Sequence, residues 1–327
     1  MVEEILPNLY KNTVPLPNNP LQALNSYIIK GRNRNLMIDT GMNREECWAA
    51  QTAALKELNI DLNKTDFFIT HLHADHLGLV GRLFTDTSAI YFNKPDALAA
   101  ISDTAWRRNG PFAIKNGFPE EECKTALNNH PGRKYSTKGY MPYTTVVDGD
   151  IVNIGDYSFR CVQTPGHTRG HMCLYESSKK LLLSGDHILI DITPNISLWS
   201  DDENPLEEYL CSLDKTSKLD VELVLPGHRS SFKNCRERID QLKHHHEVRA
   251  NEVLRILEKG DLTAFQIASL MTWDMSYKYW EEFPPHQKWF AFGEAVSHLK
   301  YLMEKQKVEK RANGQGVLFS LRQPLNS

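Results

Sequence analysis

The first ninety residues alternate short apolar runs with stretches of helical spacing. LNSYIIKG (24–31) and RNLMIDTG (34–41) read as strands, each closed by turn chemistry. REECWAAQTAALKEL (44–58) repeats at helical spacing, which predicts a buried face of Trp48, Ala49, Thr52, Leu55 and Leu58. DFFIT (66–70) and AIYFN (89–93) add two further β-rich runs, so the region is a layered α/β pattern. The rhythm breaks at residues 95–145. There two or three helices, punctuated by Gly110-Pro111 and Gly117, give way to a loop rich in tyrosine. An insertion of this size favours a cap over a pocket, with a packing element as the alternative. The β rhythm returns at residue 144 with Asp-Gly and Gly-Asp turns, a hairpin over 171–188, and a last strand, DVELVLPGH (220–228). From Asn234 onward the pattern is helical: one long helix over 236–260, a shorter one after Asp261 and Thr263, and a third over 289–307. A Gly-rich hairpin over 307–321 follows. Three helices and a terminal hairpin match a winged-helix outline. The expected division is therefore a catalytic domain over 1–233, carrying the 95–145 insertion, and a C-terminal domain over 234–327.

Composition narrows the class without naming it. The chain has 327 residues, 41% apolar and 24% charged, which is ordinary globular usage. Its net charge of −3 gives no global attraction to nucleic acid or to an anionic membrane. No apolar run approaches the ~18–20 residues that span a bilayer. The N-terminus carries Glu3 and Glu4 where a signal peptide needs a basic region, so a cytoplasmic location is expected. Six scattered cysteines with no C-x-x-C pair predict reduced, mostly buried thiols.

The chemistry concentrates in Thr70-His71-Leu72-His73-Ala74-Asp75-His76, directly after a β run. In an extended segment residues two apart point the same way, so His71 and His73 can converge on one ion. Asp75 and His76 come where the chain turns toward a helix and can address a second. Three more ligand types stand at the ends of apolar runs: His167 in TPGHT, Asp186 in SGD and His228 in PGH. Glycines at 166, 185 and 227 let the backbone turn before each. Five histidines and two aspartates make an inventory for two ions, and neutral imidazoles with carboxylates suit Zn²⁺ and related metals.

The set THLHADH, TPGHT, SGD and PGH, in this order across roughly residues 20–230, resembles the metallo-β-lactamase superfamily. The resemblance implies a four-layer αββα sandwich with metals at one edge between two sheets. It implies that His71, His73 and His167 hold one ion, that Asp75, His76 and His228 hold the other, and that Asp186 bridges them. It also places Asp39, in the turn Asp39-Thr40-Gly41, behind a ligand rather than on a metal. Among the branches, the flavo-diiron oxidoreductases carry Glu where His73 stands, and true β-lactamases often use Cys in the slot of Asp186. The glyoxalase II and lactamase-beta-2-like hydrolases resemble the chain best, the latter also through their winged-helix tail. That branch implies two Zn²⁺ per chain, with iron or manganese as alternatives, and a metal-bridging hydroxide, oriented by Asp75, acting on a thioester, ester or lactone. The competing expectation is a metal-dependent RNA endonuclease. Residues 236–327 carry 14 Lys+Arg against 12 Asp+Glu, a weak basic excess for a nucleic-acid module. A small acyl substrate is therefore the expected partner, and the aromatic-rich tail suits a homodimer. Pocket candidates are Arg107, Arg108, Tyr135, Tyr140, Tyr143, His171, His187 and Trp199. His244, His245 and His246 read as a solvated helix face.

Overall fold

The computed structural model describes residues 2–102, 104–137, 141–275, 277–312, 314 and 316–323. Seven strands form the first sheet in chain order: β1 (Val2–Leu6), β2 (Leu9–Pro15), β3 (Ala23–Lys30), β4 (Asn35–Ile38), β5 (Thr65–Ile69), β6 (Ile90–Asn93) and β7 (Tyr143–Val146). Pairing is antiparallel from β1 to β4 and parallel from β4 to β7. The second sheet holds β8 (Ile151–Ile154), β9 (Tyr157–Gln163), β10 (Met172–Glu176), β11 (Leu181–Gly185) and β12 (Leu223–Pro226), ordered β12-β11-β10-β9-β8. The predicted hairpin over 171–188 is the antiparallel pair β10–β11, with Leu174 opposite Leu183.

Strand alternation builds a layer between the two sheets. Tyr27, Ile29, Leu36, Ile38 and Phe68 from the first sheet share one core with Phe159, Cys161, Met172, Leu174, Leu183 and Leu225 from the second. The opposite face of the first sheet, with Ile28, Met37, Phe67, Ile69 and Phe92, packs on α1 (Glu45–Glu57), α2 (Ala74–Leu77) and α3 (Val80–Leu83). In α1 the buried residues are Cys47, Gln51, Ala54 and Leu55, so the buried stripe lies about one position from the expected face. Gln51 is drawn inward by polar contacts: its amide donates to Thr40 O at 2.9 Å and its carbonyl accepts from Asn12 at 3.0 Å. Trp48 stays half-buried beneath the Arg82 guanidinium, 4.2 Å from its ring centre.

The chain divides into two compact units. The first comprises Met1–Ser102, Pro131–Pro194 and Ser212–Ile239; the second comprises Asp103–His130, Asn195–Cys211 and Asp240–Ser327. The region expected as one insertion is thus shared out. α4 (Lys94–Ala100) and α7 (Pro131–Tyr135) belong to the first unit, and α5 (Thr104–Lys115) and α6 (Glu120–Asn129) to the second. The remaining helices are α8 (Pro205–Thr216), α9 (Cys235–Leu257), α10 (Ala264–Leu270) and α11 (Pro285–Glu304), followed by the antiparallel hairpin β13 (Val308–Ala312) and β14 (Val317–Leu321). The second unit's core gathers Trp289, Phe292, Ala295 and Leu299 of α11, Ile267 of α10, Cys123 and Ala126 of α6, and Phe118. Thr263 caps α10 through a reciprocal pair of bonds with Gln266, the start signal expected from its sequence. Among the described residues no helix is long and apolar enough to cross a membrane. Five cysteines are buried, and Cys211 is exposed.

Candidate metal centre

Strand polarity explains why distant residues meet. β10 runs antiparallel to both β9 and β11, and β11 runs parallel to β12, so β9, β11 and β12 end at one edge. His167 follows β9, Asp186 follows β11 and His228 follows β12, while His71 and His73 follow β5 of the facing sheet and Asp75 and His76 open α2. Backbone bonds tie the edge together: Met172 N–H donates to Thr70 O at 2.9 Å, Gly227 N–H to Gly185 O at 2.8 Å, and Asn25 N–H to Gly227 O at 2.7 Å. The structure brings all seven sequence-derived ligand candidates into one place.

They form three overlapping groups: His71, His73 and His167; His71, His76 and Asp186; and Asp75, His76 and His228. His73 Nδ1 lies 3.0 Å from both His71 Nε2 and His167 Nε2. His76 Nε2 is 3.5 Å from Asp186 Oδ1, and so is His228 Nε2; His228 Nε2 is also 3.3 Å from Asp75 Oδ2. His167 Nε2 is 3.6 Å from Asp186 Oδ2, which leaves one carboxylate oxygen toward each histidine set.

The outward ring nitrogens fix which lone pairs face inward. His76 Nδ1 donates to Asp39 Oδ2 at 2.7 Å, and His228 Nδ1 donates to Ala23 O at 2.7 Å. His71 Nδ1 sits 3.0 Å from Thr70 Oγ1, whose hydroxyl donates to Asp39 Oδ2 at 2.8 Å. Each of these rings therefore presents Nε2 to the centre. His76 Nε2, His228 Nε2 and Asp186 Oδ1 are buried with no hydrogen-bond partner. Buried polar atoms without partners are costly, and convergent orphans from imidazoles and a carboxylate are the donor set that a divalent cation satisfies. Gly227 completes the cradle: a Cβ there would stand 2.6 Å from Asp186 Oδ1 and 2.8 Å from His76 Cε1. Gly166 and Gly185 adopt positive φ, as expected for sharp turns, whereas Gly227 is needed for this close approach.

The electrostatics agree with a demand for positive charge. Burial, reinforced by neighbouring imidazoles, pushes His71 far down and His73 down to about 3. Burial would also lower His228 and His76. Facing carboxylates outweigh it, raising His228 to about 10 and His76 well above its ordinary value. Burial would raise Asp75 and Asp186, yet the same histidines hold both below the usual carboxylate range.

Asp39 stands behind one of the ligand candidates, His76, the kind of position that the resemblance implied for it. Its carboxylate accepts from Thr70 N, Thr70 Oγ1 and His76 Nδ1. His171 also lies behind them: its Nε2 accepts the Asp186 N–H at 3.1 Å and its Nδ1 meets Thr164 Oγ1 at 2.8 Å. His187 is buried beside Thr216 Oγ1 at 3.1 Å. None of the other pocket candidates belongs to the three ligand groups. Trp199 stacks on Trp289 at 4.1 Å, half-buried against the second unit's core. Arg107 and Arg108 are exposed on α5. Tyr143 packs edge-on to Phe92, Tyr135 lies under Arg44, and Tyr140 lies outside the described residues. His244 is exposed as expected, but His246 is buried, 3.3 Å from His298 Nε2, because α11 covers that side of α9. Sequence reasoning missed Asp96. It is fully buried in α4 and hydrogen-bonded to both His-bearing loops, and burial pushes it up to about 6.

Comparisons with known proteins fit this geometry. Human acyl-coenzyme A thioesterase MBLAC2 is 28% identical over 219 residues, 64% of this chain and 74% of that protein. The atrochrysone carboxyl ACP thioesterase of Aspergillus fumigatus is 26% identical over 241 residues, 73% of this chain and 61% of that one. The crystal structure of a metallo-beta-lactamase family protein from Thermus thermophilus superposes with a TM-score of 0.81 at 27% identity, covering 98% of this chain and all of that one. Residues 250–320 match the metallo-beta-lactamase-like C-terminal domain. Residues 20–228, which carry every ligand candidate, match the metallo-beta-lactamase superfamily itself, and the chain belongs to that superfamily as a metal-dependent hydrolase.

Proposed function

We propose that this enzyme hydrolyses acyl thioesters with two zinc ions at the strand-end edge. The supporting observation is the trio of interlocked ligand groups, which share His71 and His76 and leave His76 Nε2, His228 Nε2 and Asp186 Oδ1 without partners. His71, His73 and His167 would hold one ion, Asp75, His76 and His228 the other, and Asp186 would touch both. Bound zinc would make a water nucleophilic near neutral pH and polarise the acyl oxygen. Asp75, beside His228, orients that water by accepting one of its protons in a hydrogen bond. Attack forms the new C–O bond, the C–S bond breaks, and the thiolate leaves with the displaced proton. Asp39 and His171 hold His76 and Asp186 in place throughout. No thiol nucleophile is needed, and burial holds Cys161 and Cys173 up at about 12. The two relatives named as thioesterases favour a thioester over other acyl groups.

The test joins elemental analysis of the purified chain to assays with acyl-coenzyme A, an acyl-carrier thioester, a lactone and single-stranded RNA. About two zinc per chain, with thioester turnover lost in His73→Ala, is the expected result. RNA cleavage without acyl turnover would overturn the reading.

A further inference from the structure

Asp96 lies 20 or more residues from any ligand in sequence, yet it joins the two loops that carry the first histidine group. Its Oδ2 accepts the Leu72 N–H at 3.0 Å, between His71 and His73, and the Thr168 hydroxyl at 2.6 Å, next to His167. Its Oδ1 accepts the Gly170 N–H at 2.7 Å. The carboxyl is fully buried. Gly170 has no side chain where one would collide: a Cβ there would stand 2.7–2.8 Å from Asp96 N, Cβ and Cγ. The loop is therefore shaped to close over this one side chain. A single carboxylate thus clamps residue 72 to residues 168 and 170, so that neither loop can shift without the other.

We infer that Asp96 is a positioning residue that locks His71, His73 and His167 into a common geometry, and so sets the affinity of the first metal position without touching the ion. This rests on the ligand set proposed above. The chemistry admits no simple substitute. Each carboxylate oxygen takes a backbone N–H, and Asn offers only one acceptor oxygen, so its amide nitrogen must face a backbone donor.

The experiment measures zinc affinity and stoichiometry by competition with a chromophoric chelator, and the absorption of the cobalt-substituted protein, in Asp96→Asn, Thr168→Val and Asp66→Asn. Asp66 is the structural control. It accepts the Ala89 N–H and an Arg34 pair near the start of β5, at the opposite end from the ligands. Asp96→Asn is expected to weaken one of the two zinc ions 10- to 100-fold, leave the other near wild type, and change the cobalt spectrum. Thr168→Val keeps both backbone bonds and is expected to act in the same direction by a few-fold. It carries the test if Asp96→Asn does not fold. Asp66→Asn is expected to lower the melting temperature with zinc affinity unchanged. Two zinc bound with wild-type affinity in folded Asp96→Asn, or in Thr168→Val where the first does not fold, would overturn the inference alone. A wild-type chain that binds no zinc would overturn the ligand set, and the inference with it.

Discussion

Replacing Gly227 with alanine adds one methyl group at the point where two ligand loops cross. The backbone of Gly227 is outside the left-handed region, so alanine can adopt it and the effect is steric alone. The new Cβ would stand 2.6 Å from Asp186 Oδ1 and 2.8 Å from His76 Cε1. Restoring ordinary contact at 3.4 Å requires these atoms to recede by about 0.8 and 0.6 Å. Metal–ligand distances tolerate only about 0.2 Å, and Asp186 is the carboxylate placed between both histidine sets. Zinc affinity is therefore expected to fall at least tenfold, and turnover on the order of 100-fold. Gly149→Ala is the matching control. It has a φ of +90° and nothing within 4 Å, so it strains the backbone by roughly 1–2 kcal/mol without approaching a ligand. Chelator competition and acyl-thioester kinetics on both variants decide the matter. Zinc affinity in Gly227→Ala within twofold of wild type would refute the steric argument.

Other expectations follow from the same geometry. Asp39→Asn, at a φ of +57° that Asn tolerates, should keep the fold while weakening zinc 10- to 100-fold, because His76 Nδ1 loses its anionic partner; isothermal titration checks this. Removing metal with a chelator should lower the melting temperature by several degrees, and zinc should restore it, since the orphaned ligand atoms are satisfied only in the loaded protein. Burial raises Glu294 from its ordinary 4.5 to about 7, with Arg249, Asn195 and Glu252 facing it. A raised carboxyl contributes stability below the unfolded value and loses it as pH rises through about 7. Wild type should therefore lose up to about 3 kcal/mol between pH 4.5 and 7.5 that Glu294→Gln does not, as read by denaturant melts. Among six cysteines, only Cys211 should react with a thiol reagent in the native chain; rapid labelling of two or more would contradict the burial of the rest.

The features readable in the sequence are those encoded locally. β3, β4, β5 and the β10–β11 hairpin are apolar runs bounded by turn residues, and both the run and its boundary lie close together in the chain. β1 and β2 do not read as strands. Glu3, Glu4, Lys11 and Asn12 dilute their apolar content, and β1 is an edge strand with one neighbour. The ligand candidates are legible because four sit within six positions and the rest follow strands. Asp96 carries no such mark. In Lys94-Pro95-Asp96 it reads as an acidic residue in a first helical turn, and only contacts with residues 24 and 72 positions away reveal otherwise. His246 differs from His244 only in facing α11, which is folded from a segment about 40 residues on. Likewise α5 and α6 are visible as helices, but their association with the C-terminal core depends on Phe118 meeting Trp289 and Phe292.

The strand-end assembly also imposes an order on events during synthesis. On the ligand assignment proposed above, His71 and His73 wait for His167, whereas Asp75 and His76 wait for His228, which leaves the ribosome about 60 residues later. At ~5–20 residues per second, roughly 3–12 s separate completion of the two ligand sets. Over that interval the nascent chain holds the three histidines of the first proposed set but lacks β12, which aligns along β11 in parallel and leads to His228 of the second. On that assignment a zinc ion captured early would meet Asp186 only after β11 has emerged, and the carboxylate between the two sets would also be the hinge in time between one-ion and two-ion occupancy.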